Sequence, residues 1–421
     1  MRLLFVALTS MSTGEVGVGL DIANQVADIG IDSHFIVEPA GVPAVSADGY
    51  PHTVVDESMG ESIPDVMRDA VREFAPDVIV LSDYFSYCAE MEFHLRLEPW
   101  FIEDLGIPIL PIDIYEWERT DFRAELFSGS VLHISRHILD LPVQLRPVPS
   151  AHPDTAEIGN GVPYRSCRQG DRVTEATRRE VRASLGLRSD RERMLLIPVS
   201  QWQHPLAEIL GSPQQRLTEK LPELIVSHLR RLPEETHFVI LGPPLHGFQN
   251  LPADRSHLLP PCPPDRFSQL IGSTDTMLSL HLPSQTLART IFADVPGVAM
   301  RNTMTVAPGD LDAARLDGLA PTVRTWLTEL DGPVEPFDSW PWRFTSIATP
   351  LLTDNPLTDT ILRPEVLDET SFVGQLTAAL YDDDTRERLA AARAAYTDIV
   401  GKIPTVDAVL PEIVQRLGLP T

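Results

Sequence analysis

Along the first third of the chain, short apolar runs alternate with stretches in which apolar residues recur every three or four positions. The runs read as buried strands and the stretches as amphipathic helices, and their alternation builds a parallel sheet covered by helices on both faces. Residues 3–8 are the first predicted strand, 18–29 the first helix and 33–37 the second strand. A helix at 62–74 carries Pro64 in its first turn, where a missing N–H does no harm, and Pro76 lies just beyond its end. Residues 78–81 form a continuous apolar run that closes on Ser82 and Asp83, and 107–112 repeats the arrangement, closing on Asp113.

Residues 142–170 are rich in Pro and Gly and lack periodicity, which places a domain boundary there. A second series follows, with helices at 174–185 and 217–232 and strands at 194–199 and 237–241. It continues with a short helix at 265–271, a strand at 276–280, a helix at 284–293 and a strand at 298–300. Residues 302–365 read as irregular, and helices at 383–400 and 406–417 end the chain. The pattern predicts two α/β domains, residues 1–165 and 175–380, and a C-terminal helical segment at 381–421.

Composition narrows the function classes. A formal charge of −26, from 60 acidic against 34 basic residues, opposes binding to nucleic acid, because phosphate neutralisation by Lys and Arg supplies most of that affinity. Cys88, Cys167 and Cys262 lie far apart with no CxxC pair, so neither a disulfide framework nor a structural zinc site is expected. A reducing cytoplasm fits this usage. The apolar start is too short and wrongly flanked for a signal peptide, and no stretch reaches membrane-spanning length.

In a parallel sheet, ligands bind where strand ends turn into helix N-termini that present free N–H groups. Four such loops carry suggestive residues. Thr13 to Gly19 joins the first strand to the first helix and places Glu15, a candidate general base, at the mouth of the sheet. Its glycines do not keep GxGxxG spacing, and a tight turn or a solvated helix-start carboxylate explains the segment equally simply. His281, Ser284, Gln285 and Thr286 follow an apolar run and open a helix, a plausible pyrophosphate site. Ser200, Gln201 and Trp202, with His204 beyond, offer stacking and polar contacts to a base or sugar, and Gly242, closing the following strand, belongs to the same candidate set. Asp83 with Tyr84, and Asp113 with Tyr115 and Glu116, end neighbouring strands and are candidates to converge on an acceptor, capping being the simpler alternative.

The sequence has no P-loop, GxSxG elbow, HExxH or protein-kinase signature. Asp382-Asp383-Asp384 has the DxD form of a metal motif but adjoins a helix start, so it reads as capping.

The second half resembles the nucleotide-sugar domain of GT-B glycosyltransferases, from "REVRASLGL" through "MLLIPVSQWQHP" and "HFVILGPP" to "LLPPCPPDRFSQLIGSTDTMLSLHLPSQTLARTIFADVPGVAM". His281 and Thr286 match the outer positions of the family's diphosphate-binding motif, with Pro283 and Ser284 where its glycines stand. The first half is similar to the acceptor domain, "GEVGVGLDIANQVADIGIDSHFI" covering its first loop, helix and second strand, with Glu15 where many members carry a catalytic His. The resemblance implies two Rossmann-like domains facing a cleft, with the C-terminal helices packing back on the first. It further implies metal-independent sugar transfer from a nucleoside-diphosphate sugar, with no cofactor beyond that co-substrate, to a small-molecule acceptor, as in bacterial secondary metabolism. Glu15, or Asp83 or Asp113 beside it, would deprotonate the acceptor. A homodimer is left open. Two alternatives stand beside this reading: an epimerase-like enzyme on the same fold, and a non-catalytic binding protein.

Overall fold

The structure is a computed structural model and describes the chain apart from residues 10–13, 126–130, 154–158, 167–171, 201–202, 204–213, 283, 308–317, 331, 341–342 and 421. Two compact units emerge. Met1–Phe122, His133–Arg168 and Ile399–Thr421 make the first, and Arg123–Leu132 with Gln169–Asp398 the second.

The first unit runs β1 (Arg2–Ala7), α1 (Gly14–Ala27), β2 (Asp32–Val37), α2 (Val42–Ala47), β3 (His52–Val54), α3 (Ile63–Phe74), β4 (Val78–Leu81), α4 (Tyr84–Ala89) and β5 (Ile109–Pro111). These five strands form one parallel sheet in the order β3-β2-β1-β4-β5, with Leu3 of β1 facing Ser33 on one side and Val78 on the other. Strand order reverses between β1 and β4, the place where such sheets hold ligands at their carboxyl ends. The apolar runs of β1 and β4 are buried on both faces, which is why they read as continuous rather than alternating.

β6 (Arg123–Glu125) and β7 (Val131–His133) pair as a small separate sheet. The stretch read as an aperiodic linker then makes a parallel pair, β8 (Gln144–Val148) and β9 (Gly161–Arg165). β8 reaches β5's end through the Asp113 N–H, which donates to the Leu145 carbonyl at 2.8 Å. All five β8 residues are buried, including Arg146, whose charge hid the strand in the sequence. The last helix, Val406–Arg416, returns to this unit, setting Val406, Val409 and Ile413 into the core shared with Ile22 and Val26.

The second unit contains α5 (Glu175–Ser184), β10 (Arg193–Pro198), α6 (Gln214–Leu229), β11 (Thr236–Leu241), β12 (Ser256–Leu259), α7 (Pro264–Ser273), β13 (Thr276–Ser279), α8 (Gln285–Ala293) and β14 (Gly297–Ala299). It continues with α9 (Pro321–Leu330), α10 (Thr345–Leu352), β15 (Ile361–Leu362), α11 (Glu369–Tyr381) and α12 (Asp383–Val400), whose Arg393 pairs with Asp294 at 2.9 Å. Its six strands follow the order β12-β11-β10-β13-β14-β15, all parallel, with the same reversal between β10 and β13. Among its described residues, the segment expected to be irregular therefore holds α9, α10 and the edge strand β15. Val323, Trp326, Leu327 and Leu330 of α9 join the core beside Leu221 and Leu224 of α6, a long-range partnership that no local pattern announces. Among the described residues, no helix is long and apolar enough to cross a membrane.

Candidate active site

In the first unit, α1 begins four residues earlier than its sequence pattern indicated, which puts Glu15 in its first turn. Gly19 lets the helix lie close to the sheet. A Cβ on Gly19 would stand 2.6 Å from Ser82 Oγ and 3.1 Å from the Phe35 ring. That approach carries Glu15 toward the end of β4.

Asp83 caps α4, its carboxylate accepting from the N–H groups of Phe85 (3.3 Å) and Ser86 (3.0 Å). The Ser86 hydroxyl lies 2.5 Å from Asp83 Oδ2 and 3.1 Å from Glu15 Oε1, so one serine joins two carboxylates from separate strand ends. A hydroxyl has one proton to give, so both contacts are hydrogen bonds only when one carboxyl carries a proton. Burial, and then the charge of Glu15, push Asp83 up to about 7. The pair therefore titrates as a unit near neutrality, holding one proton that Ser86 can relay. Tyr115 packs edge-on to Phe85, and burial followed by the charges of Asp83 and Glu15 raises its hydroxyl well above the usual range, leaving it a proton donor beside the pair.

Asp113 has a different setting. Its carboxylate accepts from the Trp117 N–H at 3.2 Å and lies 3.6 Å from Arg146 Nε, both side chains of this ion pair being fully buried. Burial lifts it to about 6 against the pull of Arg146. Asp113 thus anchors the loop that carries Tyr115, and the convergent carboxylates are Glu15 and Asp83. Glu116 anchors the same loop. Its oxygens accept from His152 N–H at 2.7 Å and Nδ1 at 2.6 Å, and burial, which would raise its carboxyl, is outweighed by His152 and Arg119, leaving it lowered. These bonds hold Glu116 at φ +51°, a conformation costly for a residue with a Cβ. Ser86 and His152 had no part in the sequence reading; the Asp83-x-x-Ser86 capping spacing was the signal for the first.

In the second unit, Ser284 caps α8 by accepting from the Leu287 N–H at 3.2 Å. The first backbone hydrogen bond of the helix is Ala288 N–H to Ser284 O at 3.1 Å, so the N–H groups of Gln285 and Thr286 precede the ladder and face the helix mouth. His281 lies just before, and burial pushes its imidazole down to about 4, which keeps it neutral in ordinary buffers. The loop after β10 is tied to this strand end through Trp340. Gln203 Oε1 accepts from the Ser200 N–H at 2.8 Å, Gln203 Nε2 donates to the Trp340 carbonyl at 2.9 Å, and Trp340 N–H donates to the Leu280 carbonyl at 3.1 Å. Gln201, Trp202 and His204 lie outside the described residues. Gly242 has a backbone reason to be glycine: at φ +125° a Cβ would stand 2.1 Å from the Val199 carbonyl oxygen. Its neighbours in space are therefore the β10 and β12 ends, the latter through Gly242 N–H to Leu259 O at 3.0 Å. Asp382 caps α12 by accepting from the Thr385 N–H at 3.0 Å, as its position suggested.

A family model described as a family of unknown function, DUF6365, matches residues 22–418. The chain belongs to the DUF6365 family. No curated protein matches this DUF6365 chain in sequence. Solved structures do match it in shape. The spinosyn forosaminyltransferase SpnP is 14% identical, with 99% of each chain covered and a TM-score of 0.55. Anabaena Alr3699/HepE, solved with UDP-glucose, is 13% identical over 99% of each chain at a TM-score of 0.54. The glycosyltransferase VinC, solved with dTDP, is 14% identical over 99% of this chain and all of its own at 0.53. The DUF6365 chain has the GT-B fold of these proteins.

Proposed function

We propose that this protein is a glycosyltransferase that moves a sugar from a nucleoside-diphosphate sugar to the hydroxyl or amine of a small molecule. The observation that carries the reading is the Glu15–Ser86–Asp83 cluster at the carboxyl ends of β1 and β4, a base poised near neutrality where a parallel sheet presents its ligands. The fold neighbours support it, since they include a forosaminyltransferase and a glycosyltransferase solved with dTDP, and HepE was solved with UDP-glucose.

The ionised pair takes the acceptor's proton as the acceptor atom bonds to the anomeric carbon and the bond from that carbon to the diphosphate oxygen breaks. Taken by itself, the second unit offers a place suited to a diphosphate, where the N–H groups of Gln285 and Thr286 and the α8 dipole stabilise negative charge beside the neutral His281. This division of labour calls for no metal at the leaving group. A bacterial, cytoplasmic enzyme of secondary metabolism is the setting in which such an activity fits.

Thermal-shift titration of the purified chain with UDP, dTDP and UDP-glucose tests the first half, because a ligand that binds the folded state raises its melting temperature by mass action. Sugar transfer to an added acceptor tests the second. A melting temperature unmoved by all three ligands at millimolar concentration overturns the reading. Donor turnover without any acceptor points to the epimerase-like alternative, and binding without turnover to the non-catalytic one.

A further inference from the structure

A second cluster stands at the carboxyl end of the sheet, one strand away from Glu15. Glu38 directly follows β2, and it is 3% exposed. α4 does not end regularly but passes into a π-helical turn, Glu90–His94, closed by the Leu95 N–H on the Glu90 carbonyl at 2.9 Å. Such turns recur at functional sites because the extra residue re-aims side chains. Here it sets His94 Nε2 3.6 Å from Glu90 Oε1, and Glu90 is itself 6% exposed. One ligand atom from each of Glu38, Glu90 and His94 lies within 4.8 Å of the other two.

We propose that Glu38, Glu90 and His94 bind a divalent transition-metal ion, zinc foremost, which ties the end of β2 to the turn after α4. Three observations carry this. Glu38 Oε2 is a buried oxygen without a hydrogen-bond partner among the described residues, on a side chain directed into the cluster. Buried charges are paired or coordinate metals, and two buried carboxylates facing each other both keep their charge only when a cation stands between them. The spacing fits as well: zinc bonds of about 2.0–2.1 Å place tetrahedral ligands roughly 3.4 Å apart, close to the 3.6 Å between His94 and Glu90.

The donor set selects the ion. An imidazole with two carboxylates suits zinc, or manganese after it, better than magnesium, which prefers oxygen ligands and keeps its waters. His94 is exposed, which gives an entry path and leaves room for a water as fourth ligand. Exposed Glu57, with Oε2 3.4 Å from His94 Nε2, borders this open side. The site stands apart from glycosyl transfer, and its test reads no activity.

The experiment is calorimetric titration of the EDTA-treated full chain with zinc chloride, with magnesium chloride in parallel and metal content measured after gel filtration. The expected result is one zinc per chain, a raised melting temperature and negligible magnesium heat. His94→Ala truncates an exposed side chain and Glu38→Gln is nearly isosteric. Each should weaken zinc binding by roughly tenfold or more, since even outer-shell partners of a metal are worth that much. His246→Ala, at an exposed histidine of the second unit, should leave it unchanged. No zinc heat, or an affinity the same in wild type, His94→Ala and Glu38→Gln, overturns the proposal and leaves His94 as an ion-pair partner of Glu57 and Glu90.

Discussion

Glu15 and Asp83 are 68 positions apart in the chain, yet Ser86 Oγ stands 3.1 Å from an oxygen of the first and 2.5 Å from an oxygen of the second. That relationship makes the two carboxyls one proton-handling unit, and its consequences are measurable.

Replacing Glu15 by Gln removes a base while keeping shape and the contact to Ser86. Transfer should fall by about 10²- to 10⁴-fold in kcat, the usual worth of a positioned general base. Nucleotide affinity, read by thermal shift, should stay at the wild-type value. Equal losses in both would make Glu15 a structural residue.

The pH profile follows from the elevation of Asp83 to about 7. The pair must be ionised to accept a proton, so kcat/KM should rise as pH climbs through about 7. Stability should move the other way. The folded state holds the Asp83 proton more tightly than the unfolded chain does, so this group's stabilisation is fully present below its unfolded value near 4 and disappears as pH passes about 7. Asp83→Asn should therefore lose its stability disadvantage, or gain an advantage, between acid and neutral pH, by about 1–4 kcal/mol in denaturant titrations. A difference between variant and wild type that is flat with pH would contradict the raised value.

Truncating His281 or Thr286 to Ala should weaken nucleoside-diphosphate binding by about 1–3 kcal/mol, the range for hydrogen bonds to a charged group. Because burial holds His281 down to about 4, nucleotide affinity should show no histidine-like step between pH 5 and 8 from this residue. A step near 6.5 that vanishes in His281→Ala would show that the imidazole charges on binding.

Gly19→Ala places a methyl group 2.6 Å from Ser82 Oγ and 3.1 Å from Phe35. Overpacking of this kind costs about 1–3 kcal/mol, and the relief available is a shift of α1 away from the sheet. Activity should fall with stability, and Ser82→Ala should restore part of both. Gly242→Ala, strained at φ +125° as well as crowded, should cost about 1–3 kcal/mol from its backbone alone.

The parts of this picture visible in the sequence are those whose cause is local. β1, β4, β10 and β13 announce themselves by unbroken apolar runs, and Ser284 by its place before a helical stretch. β8 escaped because Arg146 and Pro147 break its apolar character, and the distant Asp113 and Glu118 help make that charge tolerable in the core. α1's early start escaped for a related reason. Gly14, Gly17 and Gly19 look like a loop until Phe35 and Ser82 show what Gly19 is pressed against. The site followed the same rule: strand-end carboxylates were legible as candidates, while the serine linking two of them, and the arginine claiming the third, required tertiary structure.

The return of Val406–Arg416 to the first unit has a consequence for biosynthesis. Val406 N–H donates to Gln25 Oε1 at 2.9 Å across 381 positions, so the unit translated first is completed last. On the ribosome, the second unit emerges with nearly all its own segments while the sheet bearing Glu15 and Asp83 still lacks the helix that covers Ile22 and Val26. The nascent chain thus carries an open apolar face until Val406–Arg416 has itself cleared the ribosome, and emergence of that helix, rather than of either sheet, is the event that closes it.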